Sequence, residues 1–406
     1  MVNPNHDGGA SRLPRVCVGW AGRAAHALTT LVSASMLAVG ALAVVPAPAR
    51  AEDVITTQEY FSYYHLDTAR AKGYTGKGVT IALIDGPIDT KAPELKGANI
   101  TDKSRCTVEE APSGLNHGTA LASILVSQNY GVAPDAMLYL YQASDDNSLS
   151  GGTCVVGNER LDSYALLINQ AIDDGAQIIS ISMSAPDASD DVKWAIARAM
   201  SRGVIIVNSA GNTGADNNSS QLSQWSGVVG VSAITTSGER ADYSSWGNGV
   251  TTAAVGGPLK VRDFDTGKTA VTRGTSNSAA IVSGLLALAW QKWPDATANQ
   301  LLQVLTQTAL NPNHEWNPYT GYGPIDGGAL VNTDPSQYPD ENPLAQKEGG
   351  SSPTVQEVQD YADGVVEPNP DTLGQSYVYR GIDEVAASMD DIGAVHLGTS
   401  PRYHRK

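Results

Sequence analysis

The sequence predicts an α/β fold: a doubly wound, mostly parallel sheet with helices on both faces, followed by an acidic tail. Three observations carry this. Short, almost unbroken apolar runs recur from Gly78 onward, as in strands buried on both faces. Segments with apolar residues at helical spacing separate them. The 406 residues are 41% hydrophobic and 17% charged, which supports a large core and excludes wholesale disorder.

The elements follow in order. Arg12, Arg15 and Arg23 precede an apolar stretch from Ala24 to Val45, and Ala49-Arg50-Ala51 is followed by Glu52-Asp53. This reads as a signal peptide over residues 1–51, cleaved after Ala51. The other reading is an uncleaved anchor, since the stretch is long enough to span a bilayer. Val79–Ile84, Met137–Tyr141, Ile178–Ser182, Val204–Val207 and Val228–Ser232 read as strands. Asp162–Asp174, Ala188–Arg202 and Ala296–Leu310 read as helices, and Ser276–Trp290 as a central helix buried all round. A single large domain spans 52–332. Residues 333–406 hold thirteen acids and five bases, with no Phe or Trp. They read as a partly disordered tail, with Tyr377–Met389 able to form a small docked element.

Charge and cysteine content narrow the function. Lys and Arg number 26 against 42 Asp and Glu, a net −16. Residues 1–51 contain Arg12, Arg15, Arg23, Arg50 and one acid, Asp7, so the remainder holds 22 basic and 41 acidic residues, −19. That sign opposes a nucleic-acid partner. Export places the mature chain in a secreted or extracytoplasmic compartment, with no membrane association after signal cleavage. The remaining cysteines, Cys106 and Cys154, form an even pair in an oxidising compartment and read as one disulfide; two separate buried thiols are the alternative. Neither belongs to a metal-like cluster.

Three segments carry chemistry. Asp85 ends the apolar run Ala82–Ile84, and the carboxyl ends of strands in open α/β sheets are where sites form. It is also a plain turn residue before Gly86-Pro87. His117 stands in Asn116-His117-Gly118-Thr119, just before the helix-like run Ala120–Val126; a structural histidine is the bland reading. Ser276 lies at the mouth of the central helix, where free N–H groups favour developing negative charge, although a simple N-cap is common there. Together they form the set a hydroxyl nucleophile needs, a base and an acid that holds the base's tautomer.

The order Asp, His, Ser is one of the known triad orders. Over roughly residues 70–331 the chain resembles the subtilisin-like serine proteases, or subtilases, peptidase family S8. Further matches are Tyr74–Val79, Gly131–Pro134, Ser209–Asn212, Tyr243–Gly247 and Gly321–Gly323. The resemblance implies a subtilisin-like fold, with Asp85, His117 and Ser276 as acid, base and nucleophile. It implies Asn212 as oxyanion donor. Ser182, Met183 and Ser184 would pair with a protein or peptide substrate, and Ser209, Ala210 and Gly211 would wall its first pocket. No G-x-S-x-G elbow is present, which disfavours a lipase-type hydrolase.

The chain departs from the family pattern in places. Gly86-Pro87 replaces Ser or Thr followed by Gly. Ala120, Asn277 and Ala280 replace the usual histidine, methionine and proline. The loop between His117 and Gly131 is short, so the family's tight calcium site is not carried over, and no metal or cofactor is expected. Ala51 to Tyr74 leaves no room for the usual folding pro-domain. Asp187, Asp190 and Asp191 read as a solvated loop. The expected activity is an exported serine endopeptidase, leaning toward a dedicated maturation protease. The alternative is a non-catalytic peptide-binding protein on the same fold.

Overall fold

The computed structural model describes residues 54–109, 112–144, 153–156, 159–183, 189–216, 222–312, 315–347 and 352–364. Residues 1–51, read from the sequence as a signal peptide, Ser184, Asp187 and the tail from 365, including Tyr377–Met389, lie outside the described residues.

Two short helices, α1 (Glu59–Tyr63) and α2 (Leu66–Ala71), precede the first strand, β1 (Thr80–Asp85). Then follow β2 (Ile100–Asp102), α3 (Pro112–Val126), β3 (Met137–Gln142), the small hairpin β4 (Val155–Val156) and β5 (Glu159–Arg160), α4 (Tyr164–Asp173) and β6 (Ile178–Ile181). The second half contains α5 (Asp190–Arg202), β7 (Ile205–Ser209), β8 (Val228–Ile234), β9 (Val250–Val255), the hairpin β10 (Leu259–Asp263) and β11 (Lys268–Thr272), and α6 (Thr275–Lys292). The chain continues through α7 (Ala298–Gln307), α8 (Gly327–Asn332) and α9 (Val355–Ala362).

Seven strands form one sheet in the order β2-β3-β1-β6-β7-β8-β9, and every pairing is parallel. Side chains alternate across it. Ile81, Leu83, Val207 and Val231 face a core shared with α3 and α6, while Ala82, Ile84, Ile206 and Val228 face one shared with α4 and α5. Both faces are therefore dry, which is why the strands read as unbroken apolar runs. From Thr275 to Trp290 every residue of α6 is buried, as an all-round apolar helix must be.

Polar side chains set the helix ends. Ser163 and Ser189 accept from Leu166 and Val192 N–H groups to open α4 and α5, Gly203 at φ 69° closes α5, and Thr297 with Gln300 forms a capping box at α7. The outer edge of β9 is closed by residues 322–325: Tyr322 and Ile325 N–H groups donate to Thr251 and Ala253 carbonyls, both at 2.9 Å.

Packing does not end at the boundary expected at Asn332. Asp340 accepts from Thr297 Oγ1 at 2.7 Å and Asn299 Nδ2 at 2.9 Å. Leu344 is buried, and its carbonyl accepts from Gly227 N–H at 2.8 Å. The Lys347 ammonium is buried and donates to the carbonyls of Ser223 at 2.9 Å and Gly249 at 2.7 Å. Then α9 lies on α5, with Tyr361 stacked on Trp194 and Lys193 Nζ 3.2 Å from Glu357. An acidic composition hides this strap because it holds by a few apolar anchors and many bonds to backbone, not by a core of its own.

Candidate active site

The sheet reverses its winding between β1 and β6. The carboxyl ends of these neighbouring strands open a crevice, the position where open α/β sheets place ligands. Asp85 ends β1 there and is 1% exposed. Its Oδ1 accepts from Gly86 N–H at 2.9 Å and lies 2.8 Å from His117 Nδ1. A carboxylate can only accept, so Nδ1 carries the proton in this contact. Asp85 Oδ2 is buried without a hydrogen-bond partner among the described residues.

His117 stands within α3 and not before it, because the helix starts at Pro112. Its side chain is 40% exposed, so the ring borders open space. Gly118 lets the loop after Asp85 lie on this helix. A Cβ there would stand 2.6 Å from the Pro87 carbonyl oxygen. Asp89 N–H donates to Thr119 Oγ1 at 3.0 Å and fixes the same loop.

Ser276 is the second residue of α6, whose N-cap is Gly274 with no capping side chain. The serine is therefore inside the first turn and is not the cap. Its hydroxyl donates to the Ser182 carbonyl at 3.1 Å, and Ser182 Oγ donates back to the Ser276 carbonyl at 3.3 Å. Ser182 and Met183 are buried directly after β6. The nucleophile candidate is thus joined to the strand next to the one that carries Asp85.

Ser209, Ala210 and Gly211 leave the end of β7, beside β6, so the two segments diverge from adjacent strands. Gly211 has φ 101°, in the left-handed region, and its N–H donates to Thr275 Oγ1 at 3.0 Å. Next, Asn212 Oδ1 accepts both Thr275 N–H at 2.8 Å and Thr275 Oγ1 at 3.1 Å. Asn212 Nδ2 has no hydrogen-bond partner among the described residues. It faces Gly274, where an added Cβ would stand 3.4 Å away. The structure brings Asp85, His117, Ser276, Asn212, Ser182, Met183 and Ser209–Gly211 to the same edge of the sheet.

Sequence reasoning missed several supporting groups. Thr275 lies inside the Gly-Thr-Ser segment and could have been found there. Asn116 could not: its Oδ1 accepts from Phe264 N–H at 2.8 Å across 148 residues, so it ties the base-bearing helix to the β10–β11 hairpin. Asn277 Nδ2 donates to the Gly256 carbonyl at 3.0 Å. The hairpin is anchored by Arg262, which forks onto Glu94 at 2.8 and 3.0 Å. Burial alone pushes the Glu94 carboxyl up, but the Arg262 fork and the Ile55 N–H outweigh it and hold Glu94 below its usual range. Cys106 and Cys154 are joined by a disulfide beside Val108 and Leu161. Among the described residues no group of three His, Cys, Asp or Glu could hold a metal ion.

The profile of the subtilase family, peptidase S8, matches residues 76–323. The thermostable alkaline protease of Halalkalibacterium halodurans is 30% identical over 279 residues, 66% of this chain and 70% of that protein. Subtilisin E of Bacillus subtilis is 28% identical over 250 residues, 59% of this chain and 62% of that protein. Among solved structures, MycP1 from Mycobacterium smegmatis is 26% identical with a TM-score of 0.54, covering 76% of this chain and 91% of that one. With the family's profile running from before β1 to beyond α7 and its fold repeated here, the chain belongs to the subtilase family of serine proteases.

Proposed function

We propose that this protein is an exported serine endopeptidase acting through Asp85, His117 and Ser276. An extended peptide lies at the carboxyl edge of the sheet, its acyl side paired along Ser182 to Ser184 and its first side chain against Ser209–Gly211. Ser276 Oγ attacks the carbonyl carbon while His117 Nε2 takes the hydroxyl proton. Asp85 stabilises the imidazolium through Nδ1. The oxyanion accepts from Asn212 Nδ2 and the Ser276 N–H at the start of α6. The tetrahedral intermediate collapses as His117 returns its proton to the leaving amine, and water repeats the sequence on the acyl-enzyme.

The observation that carries this reading is the 2.8 Å contact between buried Asp85 and the half-exposed ring of His117 at the sheet's switch point. Export rests on the basic, apolar and small-residue pattern of residues 1–51. A narrow maturation role is favoured by the short loop after His117. MycP1, a solved relative, is described as a serine protease and an essential component of the type VII (ESX-1) secretion system. A serine-directed phosphonyl fluoride should label the protein stoichiometrically and fail on Ser276→Ala. Equal labelling of both, or labelling of neither, would reject the nucleophile and favour the peptide-binding reading.

A further inference from the structure

The β10–β11 hairpin spans the distance from base to nucleophile. Its tip is held to α3 by Asn116, one residue before His117. Its other end runs through Thr272 and Arg273 into Gly274 and the first turn of α6. Gln58 closes the outer edge of β10, donating to the Lys260 carbonyl at 2.6 Å and accepting its N–H at 3.0 Å. The acyl side of a substrate is assigned to Ser182 and Met183, which follow β6. The hairpin flank is what remains for the other half. The leaving amine takes its proton from His117, so its chain departs along that flank.

Arg273 stands at the mouth of this flank, three residues before Ser276. Its side chain is 65% exposed. The guanidinium is held over the Tyr243 ring, 5.1 Å from its centroid, which fixes its direction at small entropic cost. Among the described residues Asp242 is the carboxylate it reaches, at 3.7 Å, and that group is 84% exposed. A contact this long and this wet contributes little, so a carboxylate arriving with a substrate can replace it. By contrast Arg262, on the same hairpin, is committed to Glu94. In a chain with 42 acids and 26 bases, a cation positioned beside the scissile bond is a selective feature.

We propose that Arg273 selects substrates with an acidic side chain on the leaving-group side of the scissile bond, within the first few residues after it. An extended peptide advances about 3.3 Å per residue, so those positions pass over the end of β11. The guanidinium can take a carboxylate by a two-pronged contact there. This inference rests on the reading of Ser276 as nucleophile.

The test uses internally quenched peptides that share one cleavable acyl half, chosen from a digest of a denatured protein. Their leaving halves carry Glu, Gln or Lys. A p-nitroanilide of the same acyl half reports chemistry that never reaches Arg273. The readout is the Glu-to-Lys ratio of kcat/KM within each protein, so a general loss of rate cancels. The full chain should favour Glu by about three- to tenfold, the scale of an exposed ion pair gained against one repelled. The preference should shrink with added salt. It should vanish in Arg273→Gln and reverse in Arg273→Glu. A ratio near one in the unaltered protein, with the p-nitroanilide hydrolysed, overturns the inference alone. A ratio unchanged in Arg273→Glu does the same. Undiminished cleavage of these peptides by Ser276→Ala overturns the nucleophile reading, and this inference falls with it.

Discussion

Thr275 donates twice to one atom of Asn212: its backbone N–H and its hydroxyl both reach Oδ1, at 2.8 and 3.1 Å. The amide is thereby fixed by its acceptor end, and Nδ2 is turned toward the first turn of α6. A donor fixed before reaction needs no reorganisation when the oxyanion forms. Asn212→Leu should lower kcat by about 10²–10³-fold with KM little changed, the range found for the matching asparagine of subtilisin. Thr275→Val keeps the backbone bond and should lose less. Steady-state kinetics on one peptide decide this, and a raised KM at constant kcat would remove Asn212 from the oxyanion role.

Gly118→Ala should damage the same site from the other side. The new Cβ would meet the Pro87 carbonyl oxygen at 2.6 Å, and backbone on backbone cannot yield cheaply. The loop carrying Asp85 must shift away from α3, at a cost of about 1–3 kcal/mol. We expect a lower Tm and a loss of kcat/KM larger than the Tm change explains, because the Asp85–His117 contact opens. Unaltered kinetics at unaltered Tm would show that the loop has room.

The buried fork between Arg262 and Glu94 predicts an acid limit. Removing one partner, as in Arg262→Ala, leaves a buried charge uncompensated and should cost about 3–5 kcal/mol. Glu94 is held below its usual range, so in the unfolded chain it binds protons at a higher pH than in the folded one. Its contribution is complete above the unfolded value and is lost as pH falls through the folded value. Urea titrations from neutral pH into the acid range should show this slope, and Glu94→Gln should flatten it.

Lys347 predicts the opposite limit. Burial pushes its ammonium down to about 7. Between that value and its ordinary one near 10.5, the unfolded chain binds a proton that the folded chain lacks. Stability should therefore rise with pH across this window and be flat below it. Lys347→Met should abolish the rise. Ending the chain at Asn332 should remove the whole strap, expose the α5 surface under Tyr361 and lower Tm. A truncated protein with the parent's Tm would show that residues 333–364 add nothing.

The disulfide between Cys106 and Cys154 closes a loop with a sequence separation of 48. In the chain-entropy model that stabilises by about 4 kcal/mol. A Cys106→Ala, Cys154→Ala variant should lose stability on that scale by urea denaturation. Two thiols titrated in the unreduced, denatured protein would contradict the bond itself.

The fold was legible where burial on both faces makes the sequence monotonous. β1, β3, β6, β7 and β8 read as apolar runs, and α6 read as a buried helix, because each signal is local. β9, Val-Thr-Thr-Ala-Ala-Val, did not: Thr251 and Thr252 are buried, but their hydroxyls break the apolar pattern while bonding to backbone across the core. Asp85, His117, Ser276 and Asn212 could be singled out because each lies in a short motif, and the fold brings them to one edge of the sheet. Asn116, Glu94 and Arg262 could not be, because their partners stand 147 to 168 residues away and nothing beside them in the chain marks the pairing. The packing of residues 334–364 was not legible for a related reason. Composition measures whether a segment can build its own core, not whether it can lean on another.

Manufacture proceeds from the N-terminus, and the strap is at the far end of the described chain. As synthesis proceeds, β6, β7, β8 and β9 can add to the sheet one after another, each beside its predecessor. The residues proposed for catalysis have all emerged by Ser276, while Leu344, Lys347 and α9 are still to be made. At about 5–20 residues per second, the nascent protein spends several seconds with the α5 surface uncovered and the Ser223 and Gly249 carbonyls unanswered. During that interval another molecule's strap could fill the vacancy. A chain that folds as it emerges would therefore close its strap last, after every residue proposed for catalysis is in place.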